Sequence, residues 1–471
     1  MSNEVEYQRE DYKYSLKDWT LVDDVCAGQR KVKEGGESYL PRFTASSDKD
    51  EDDKRYKQYK RRAVFHPMTG RTLKVLTGLA FTKKPGLEAN SIITDRAQDI
   101  DGQGISLEQQ SKAVTSEVLK KGRHALLVDY PSVDGGISKA QRDAGLVRGV
   151  IISIPAANVI NWETVRVGSQ HKYSLVVIRE REAEKKGEFE AEYKTQYRVL
   201  RLTDGIYTVQ IYIEKDSGYE PQELVIVKDG RGNSFKEIPF SFVGSENNDQ
   251  AIDEMPMLDM ATLNIAHYHN SADYEDSVFY SGQPQLVITG LTETWADRLE
   301  ENKILIGSRQ PLPLPENSDA KFIQPSPNTL VKEAMDNKVD MMAALGARLL
   351  EKGGKVKTAT ESDHDNRSEH SVLSGVVSNV SAAYTKCLSW LAQFENVPED
   401  SSYSINQEFT EFTLSPEMLG ALISAVQSGE LPQSDFWQQL RKGGVIDADK
   451  EDDQIKQELE ESGAGLNLDE S

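Results

Sequence analysis

The chain has 471 residues, 38% of them hydrophobic, and a mean hydropathy of −0.57. That length allows two to four packed units, and the low apolar content suggests that neighbouring subunits complete part of the core. Lys and Arg number 55 against 77 Asp and Glu, a formal net charge of −22, which excludes a grip on nucleic acid by counterion release over the whole surface. Two cysteines, Cys26 and Cys387, argue against a disulfide framework or a Cys-based zinc site and suit a reducing cytosol. The N-terminus lacks the basic-then-apolar shape of a signal peptide, and no apolar run approaches the ~20 residues of a membrane-spanning helix. The expectation is a soluble intracellular protein without a membrane partner.

Residues 1–50 read as a polar N-terminal segment, with Asp48-Lys-Asp-Glu-Asp-Asp53 in an exposed connection. Residues 54–65, with Tyr56, Tyr59 and Ala63 at helical spacing, predict a basic amphipathic helix interrupted by Pro67. A second helix runs through Leu73, Leu76, Leu79 and Ala80. Ser106-Leu-Glu-Gln109 has the form of a capping box. The helix that it opens stops at Gly122, and Ala125-Leu-Leu-Val128 follows as a short buried strand. From about 150 to 242 the period changes to two, with turn signals at Asp204-Gly205 and Asp229-Gly230. An antiparallel β region is expected there, flanked by the charged stretch 179–194.

Three long helical patterns come next, at 257–280, 329–350 and about 362–394. A Pro-containing strand–helix–strand segment at 285–327 separates the first two, and the loop Glu351-Lys-Gly-Gly-Lys-Val-Lys-Thr358 separates the last two. Two rods flanking a small cap make poor walls for an active site and suit a subunit standing beside copies of itself. The remainder predicts a strand at 407–413 and a helix capped by Ser415-Pro416, with Leu414 and Leu419 as a hydrophobic staple. A short helix at 435–442 follows, then a solvated acidic tail at 447–471. The class expected is α+β.

No motif nominates catalysis. Around Gly354-Lys355 both ends of a P-loop fail, since Leu349 stands at the first Gly position and Val356 follows the Lys. Asp101-Gly-Gln-Gly104 lacks the third Gly and the preceding strand of a dinucleotide site. His267 and His269 point to different helix faces, and Asp363-His-Asp365 with Glu369-His370 reads as well as a polar helix start as a metal site. G-x-S-x-G, H-E-x-x-H and paired-carboxylate signatures are absent. No cofactor and no enzymatic activity are expected. Tyr268, Tyr274, Phe279 and Tyr280 on the first rod, and Tyr384, Leu388 and Trp390 on the third, read as helix packing rather than base-stacking platforms.

The order helix, mixed cap, helix, loop, helix resembles the tailed-bacteriophage portal proteins. So do several collinear stretches between residues 15 and 446. Among them are Arg61-Arg-Ala-Val-Phe-His-Pro-Met-Thr-Gly-Arg-Thr-Leu73, Gly122-Arg-His-Ala-Leu-Leu-Val-Asp-Tyr-Pro131, Asn158-Val-Ile-Asn-Trp162, Leu258-Asp-Met-Ala-Thr-Leu-Asn264 and Leu286-Val-Ile-Thr-Gly290. The resemblance implies a wing (51–250), a first stem helix (251–284), a clip (285–327) and a second stem helix (328–350). It then implies a tunnel loop (351–361), a kinked tunnel helix (362–396), a wing return with crown helices (397–446) and the acidic tail.

The resemblance further implies a homo-oligomeric ring, a dodecamer, at one capsid vertex of the virion, assembled in the host cytoplasm. It would pass double-stranded DNA during packaging and ejection. It would also dock the terminase large subunit and head-completion or adaptor proteins, and meet the major capsid and scaffolding proteins. On this chain Lys352, Lys355 and Lys357 would line the tunnel. Trp295, Arg298, Lys303 and Arg309 would face terminase and adaptor. Leu258, Leu263, Tyr268 and Tyr274 would pack stem against stem. The competing readings are a virion connector or scaffold without a DNA bore, and an acidic cytosolic hydrolase.

Overall fold

The computed structural model describes residues 4–42, 49–130, 148–215, 218–229, 231–283, 285–295, 314–323, 329–350, 371–407, 432–442 and 452–461, with 297, 409, 426 and 450 singly. It is a mixed helix-and-strand protein that divides into two compact units, 1–406 and 407–471.

The first element corrects the reading of residues 1–50. Helix α1 (Glu10–Ala27) buries Tyr12, Trp19, Val22 and Val25, a one-sided stripe whose polar neighbours face water. Its Trp19 indole donates to the Lys121 carbonyl, 2.9 Å. A short α2 (Gln29–Glu34) follows. Helix α3 (Lys49–Arg62) starts inside the stretch expected to be an exposed connection. Its acidic first turn, Asp50, Glu51 and Asp52, complements the helix dipole. Pro67 separates α3 from α4 (Met68–Ala80), which packs on α1. A Cβ on Gly70 would lie 2.7 Å from the Cys26 carbonyl, so only glycine permits this approach.

Strand β1 (Gly86–Glu88) and the short α5 (Ser91–Arg96) lead to α6 (Leu107–Lys121). Both halves of the expected capping box between Ser106 and Gln109 are present, and Gly122 ends the helix in the left-handed region at φ 67°. Strand β2 (Arg123–Asp129) is buried along nearly its whole length. It is the centre of an antiparallel three-stranded sheet, flanked by Phe240–Gly244 on one side and Val150–Pro155 on the other. The antiparallel β region then follows. It comprises β3 (Val150–Pro155), β4 (Val159–Val167), β5 (Gln170–Lys185), β6 (Ala191–Thr203), β7 (Ile206–Lys215), β8 (Gly218–Pro221), β9 (Val225–Ile226) and β10 (Phe240–Gly244).

Strands β4 to β8 form one sheet in sequence order, with β9 also on β7. Asp204-Gly205 makes the β6–β7 turn as expected. Asp229 instead sits in a loop closed by one isolated bridge, Lys228 to Ser234. The charged stretch 179–194 does not flank the sheet; it forms the ends of β5 and β6, paired out to Lys185 and Ala191. Edge-to-face contacts of Trp162 and Tyr173 with Phe242 join the two sheets. Arg123 lies over both Trp162 and Phe242, donates to the Gln250 and Ala251 carbonyls, and is pushed down to about 9 by burial.

Helix α7 (Leu258–Ser281) matches the first expected rod. An antiparallel hairpin, β11 (Gln285–Thr289) and β12 (Asp319–Ile323), and α8 (Thr329–Arg348) follow. Helix α9 (Val372–Glu395) begins ten residues later than the pattern at 362 suggests, because the Ser371 hydroxyl accepts from the Ser374 amide and caps it there. It packs against β10, β2 and α6 and has fifteen buried residues. Its Tyr384, Leu388 and Trp390 are core packing. Strand β13 (Ser402–Ser404) pairs with β1.

In the second unit, α10 (Gln433–Lys442) and α11 (Asp452–Glu461) share a cluster of Trp437, Leu440 and Ile455. Part of the acidic tail is therefore a packed helix rather than a solvated chain. The strand and helix expected at 407–428 lie largely outside the described residues.

Candidate functional site

The region that carries the sequence-predicted roles is α7, the β11–β12 hairpin and α8. The buried face of α7 repeats at three and four residues through Met260, Ala261, Asn264, His267, Tyr268, Ser271 and Ala272. Its latch to the chain is polar. Asn264 Oδ1 accepts from the Thr69 amide and hydroxyl at 3.2 and 3.0 Å, while its Nδ2 donates to the His66 carbonyl at 2.8 Å. Tyr59 donates to Asp273 at 2.6 Å, and Arg62 pairs with Asp276 while lying over the Phe279 ring. Satisfied buried polar groups of this kind fix one register for the rod.

Beyond the last buried residue, Ala272, the character of α7 changes. Val278, Phe279 and Tyr280 are exposed, as are Phe322 and Ile323 on β12. Helix α8 packs on α7, with Lys338 donating to Asn270 Oδ1 at 2.6 Å. A Cβ on Gly346 would meet Thr72 at 3.2 Å and Met260 at 3.4 Å. Otherwise α8 buries only Met342, and Leu330 and Met341 remain 73% and 56% exposed. The Leu373 amide donates to the Leu349 carbonyl (3.2 Å), which ties the end of α8 to the start of α9.

Of the expected stem-packing residues, Leu258, Leu263 and Tyr274 are half-buried along α7. Tyr268 corrects the expectation. It is 0% exposed, edge-on to Phe65, and packs within the chain. Trp295 is half-buried on a helical turn after β11, its amide donating to the Thr292 carbonyl. Arg298, Lys303, Arg309, Lys352, Lys355 and Lys357 lie outside the described residues, as do His364 and His370. Sequence reasoning missed the exposure of α8. The signal was partial: the apolar arc of α8 spans a full half of the helix, and Leu330 and Met341, at its edge, are the ones left exposed.

The electrostatics are structural. His267 stands 6.1 Å from His66 and is held below the usual imidazole range, chiefly by burial and then by the charges of His66 and Lys338. His269 faces elsewhere, its Nε2 on the Tyr39 carbonyl at 2.7 Å. Burial pushes the Cys26 and Cys387 thiols up to about 12, which leaves no nucleophilic thiolate. A cleft beside β7 is lined by Asp129, Arg198, Val209 and Ile211. Its Arg198 is already pinned between Asp129 at 2.9 Å and Glu180 at 2.7 Å. Among the described residues no cluster of three metal-ligating side chains occurs, and no helix is long and apolar enough to cross a membrane. What the described rods offer is surface for packing.

No curated protein matches this chain. Residues 256–395, which span α7, the hairpin, α8 and α9, match a family model described as a domain of unknown function (DUF4055).

Proposed function

We propose that this chain is a portal subunit: a ring-forming protein at one capsid vertex that conducts double-stranded DNA and docks terminase and head-completion proteins. On this reading α7 and α8 are the stem, the β11–β12 hairpin belongs to the clip, and α9 is the tunnel helix. The subunit is not an enzyme, and the packaging motor is a separate protein. The observation that carries the reading is α8: a twenty-residue helix, rich in Leu, Val and Met, with one buried residue. A rod stripped of neighbours on most of its faces gains about 1.5–3 kcal/mol for each large apolar side chain that another copy covers. Closed rings supply such heterologous contacts without leaving ends. The resemblance of the collinear stretches to portal proteins supplies the DNA-conducting role.

The test is mass and shape. Light scattering and negative-stain imaging of the purified chain should give an annulus of about 630 kDa for twelve copies of 52.6 kDa. A solid assembly without a channel would favour the connector or scaffold reading. A compact dimer without a hole would end the portal reading.

A further inference from the structure

We propose that the outer stripe of α3 docks the phosphate backbone of double-stranded DNA, as a surface separate from the rods. In a chain of net charge −22, residues 54–87 contain ten Lys and Arg and not one Asp or Glu. Helix α3 sorts the first of these by face. Tyr56 and Tyr59 are buried, with Ala63 just beyond the helix end. Lys54, Lys57 and Arg61, spaced i, i+3 and i+7, lie together on the opposite side and are exposed. Among the described residues these three make no ion pair, whereas the neighbouring Arg62 is taken up by Asp276.

The basic field continues past the helix end. Lys33 Nζ donates to the Arg61 carbonyl at 3.1 Å, and it is held below the usual ammonium range by burial and then by the charge of Lys60. Among the described residues neither the Lys33 nor the Lys60 ammonium makes an ion pair. The acids nearest the stripe are engaged at both ends of α3, Asp276 by Arg62 beside Arg61 and Asp52 and Asp53 by Arg42. Arg42 pairs with Asp53 at 2.6 Å and with Asp52 at 3.2 Å. Arg61 lies nine residues beyond Asp52, about 13 Å along the axis. That exceeds the Debye length of about 8 Å at physiological salt, so Asp52 is largely screened from the far end of the stripe.

The stripe fits phosphate better than protein. Its members are Lys, Lys and Arg around Gln58, with no apolar side chain among them. Protein interfaces deplete Lys at their centres and carry aromatic anchors there, and the aromatics of α3 face inward. Point charges in a row give a sequence-independent, salt-dependent hold on a backbone.

The test is a salt titration of the full chain by fluorescence anisotropy with two duplexes of unrelated sequence. Wild type should bind both alike, and K54Q/K57Q/R61Q should lower the log K against log salt slope by about 2.7, at roughly 0.9 per lost contact. Gln58→Lys should raise the slope by about 0.9. Slopes unchanged in both variants would overturn the inference, as would a wild type that ignores DNA at low salt. Intact DNA binding with a reduced particle mass in the triple variant would overturn it in favour of an acidic face on a second copy. A chain that stays monomeric yet loses DNA in the triple variant would remove the ring reading and leave this inference standing.

Discussion

Helices α8 and α9 are neighbours in the chain and similar in length, 20 and 24 residues, yet they live in opposite environments. Helix α9 touches β10, β2, β3, β13 and α6. It also anchors the chain through polar side chains: Ser381 Oγ accepts from the Ile405 amide at 3.0 Å, and Glu395 accepts from the Gly149 amide at 3.2 Å. Helix α8 has α7, with Thr72 of α4 near Gly346. Both carry large apolar residues, but α8 has six charged side chains in twenty residues and α9 two in twenty-four, and their neighbours differ accordingly. One helix is finished by its own chain, and the other has apolar surface left for a partner.

The sharpest way to break that contrast is a matched pair of truncations. Leu388→Ala on α9, at a fully buried position, should cost 2–5 kcal/mol in denaturant unfolding, from lost transfer energy and the cavity left behind. Leu330→Ala on α8 should stay within about 0.5 kcal/mol when the dissociated chain is unfolded. Leu330→Ser combined with Met341→Ser should reduce the assembled mass seen by light scattering while leaving the unfolding midpoint of the dissociated chain unchanged. A Leu330→Ala cost equal to that of Leu388→Ala would mean that α8 is covered within the chain, and the comparison would collapse.

A second measurement sharpens the finished side. His124 on β2 is fully enclosed, its Nε2 on Ser153 Oγ at 2.8 Å, and burial pushes it down to about 4. Because its folded value lies below the unfolded value of about 6.5, the unfolded chain binds more protons between those limits. Stability is therefore whole above pH 6.5 and falls as pH drops towards 4, by roughly 3 kcal/mol from this group. Thermal melts across that range should show the decline in wild type and a flatter profile in His124→Gln. An unchanged profile in the variant would assign the acid sensitivity elsewhere, His267 on α7 being another imidazole pushed down chiefly by burial.

How much of this was legible in the sequence depended on whether the signal was local. The Ser106 capping box, the Gly122 stop and the Asp204-Gly205 turn each sit within a few residues, and each appears as read. Helix α1 was hidden because charged residues between Tyr12, Trp19, Val22 and Val25 made the whole segment look polar. The start of α9 was misplaced because 358–370 offers several Ser, Thr and Asp residues that read as caps just as well as Ser371, which caps the helix. Tyr268 failed as a subunit contact for another reason. Its ring is covered by Phe65, some two hundred positions earlier, and spacing along one helix cannot report that. Arg298, Lys303, Arg309, Lys352, Lys355 and Lys357 were legible as charges and lie outside the described residues.

The smallest expected effect probes the second unit, where a helix stands in what reads as an acidic tail. Helix α11 offers the buried Ile455 to Trp437 and Leu440, and Arg441 reaches across to Asp452 at 2.5 Å and to the Lys450 carbonyl at 2.7 Å. Asp452 lies in the first turn of α11, where a carboxylate already gains from the helix dipole. Arg441 and Asp452 are 18% and 35% exposed, so their pairing is worth about 0.5–1 kcal/mol after screening. Arg441→Gln should raise amide exchange across 452–461 several-fold and leave exchange in β2 and α9 unchanged. Ile455→Ala should raise it further, since Ile455 is the buried side chain that α11 contributes to the cluster among the described residues. If neither change moves exchange in 452–461, the helix is held by its own propensity alone, and the reading of 447–471 as a solvated tail returns.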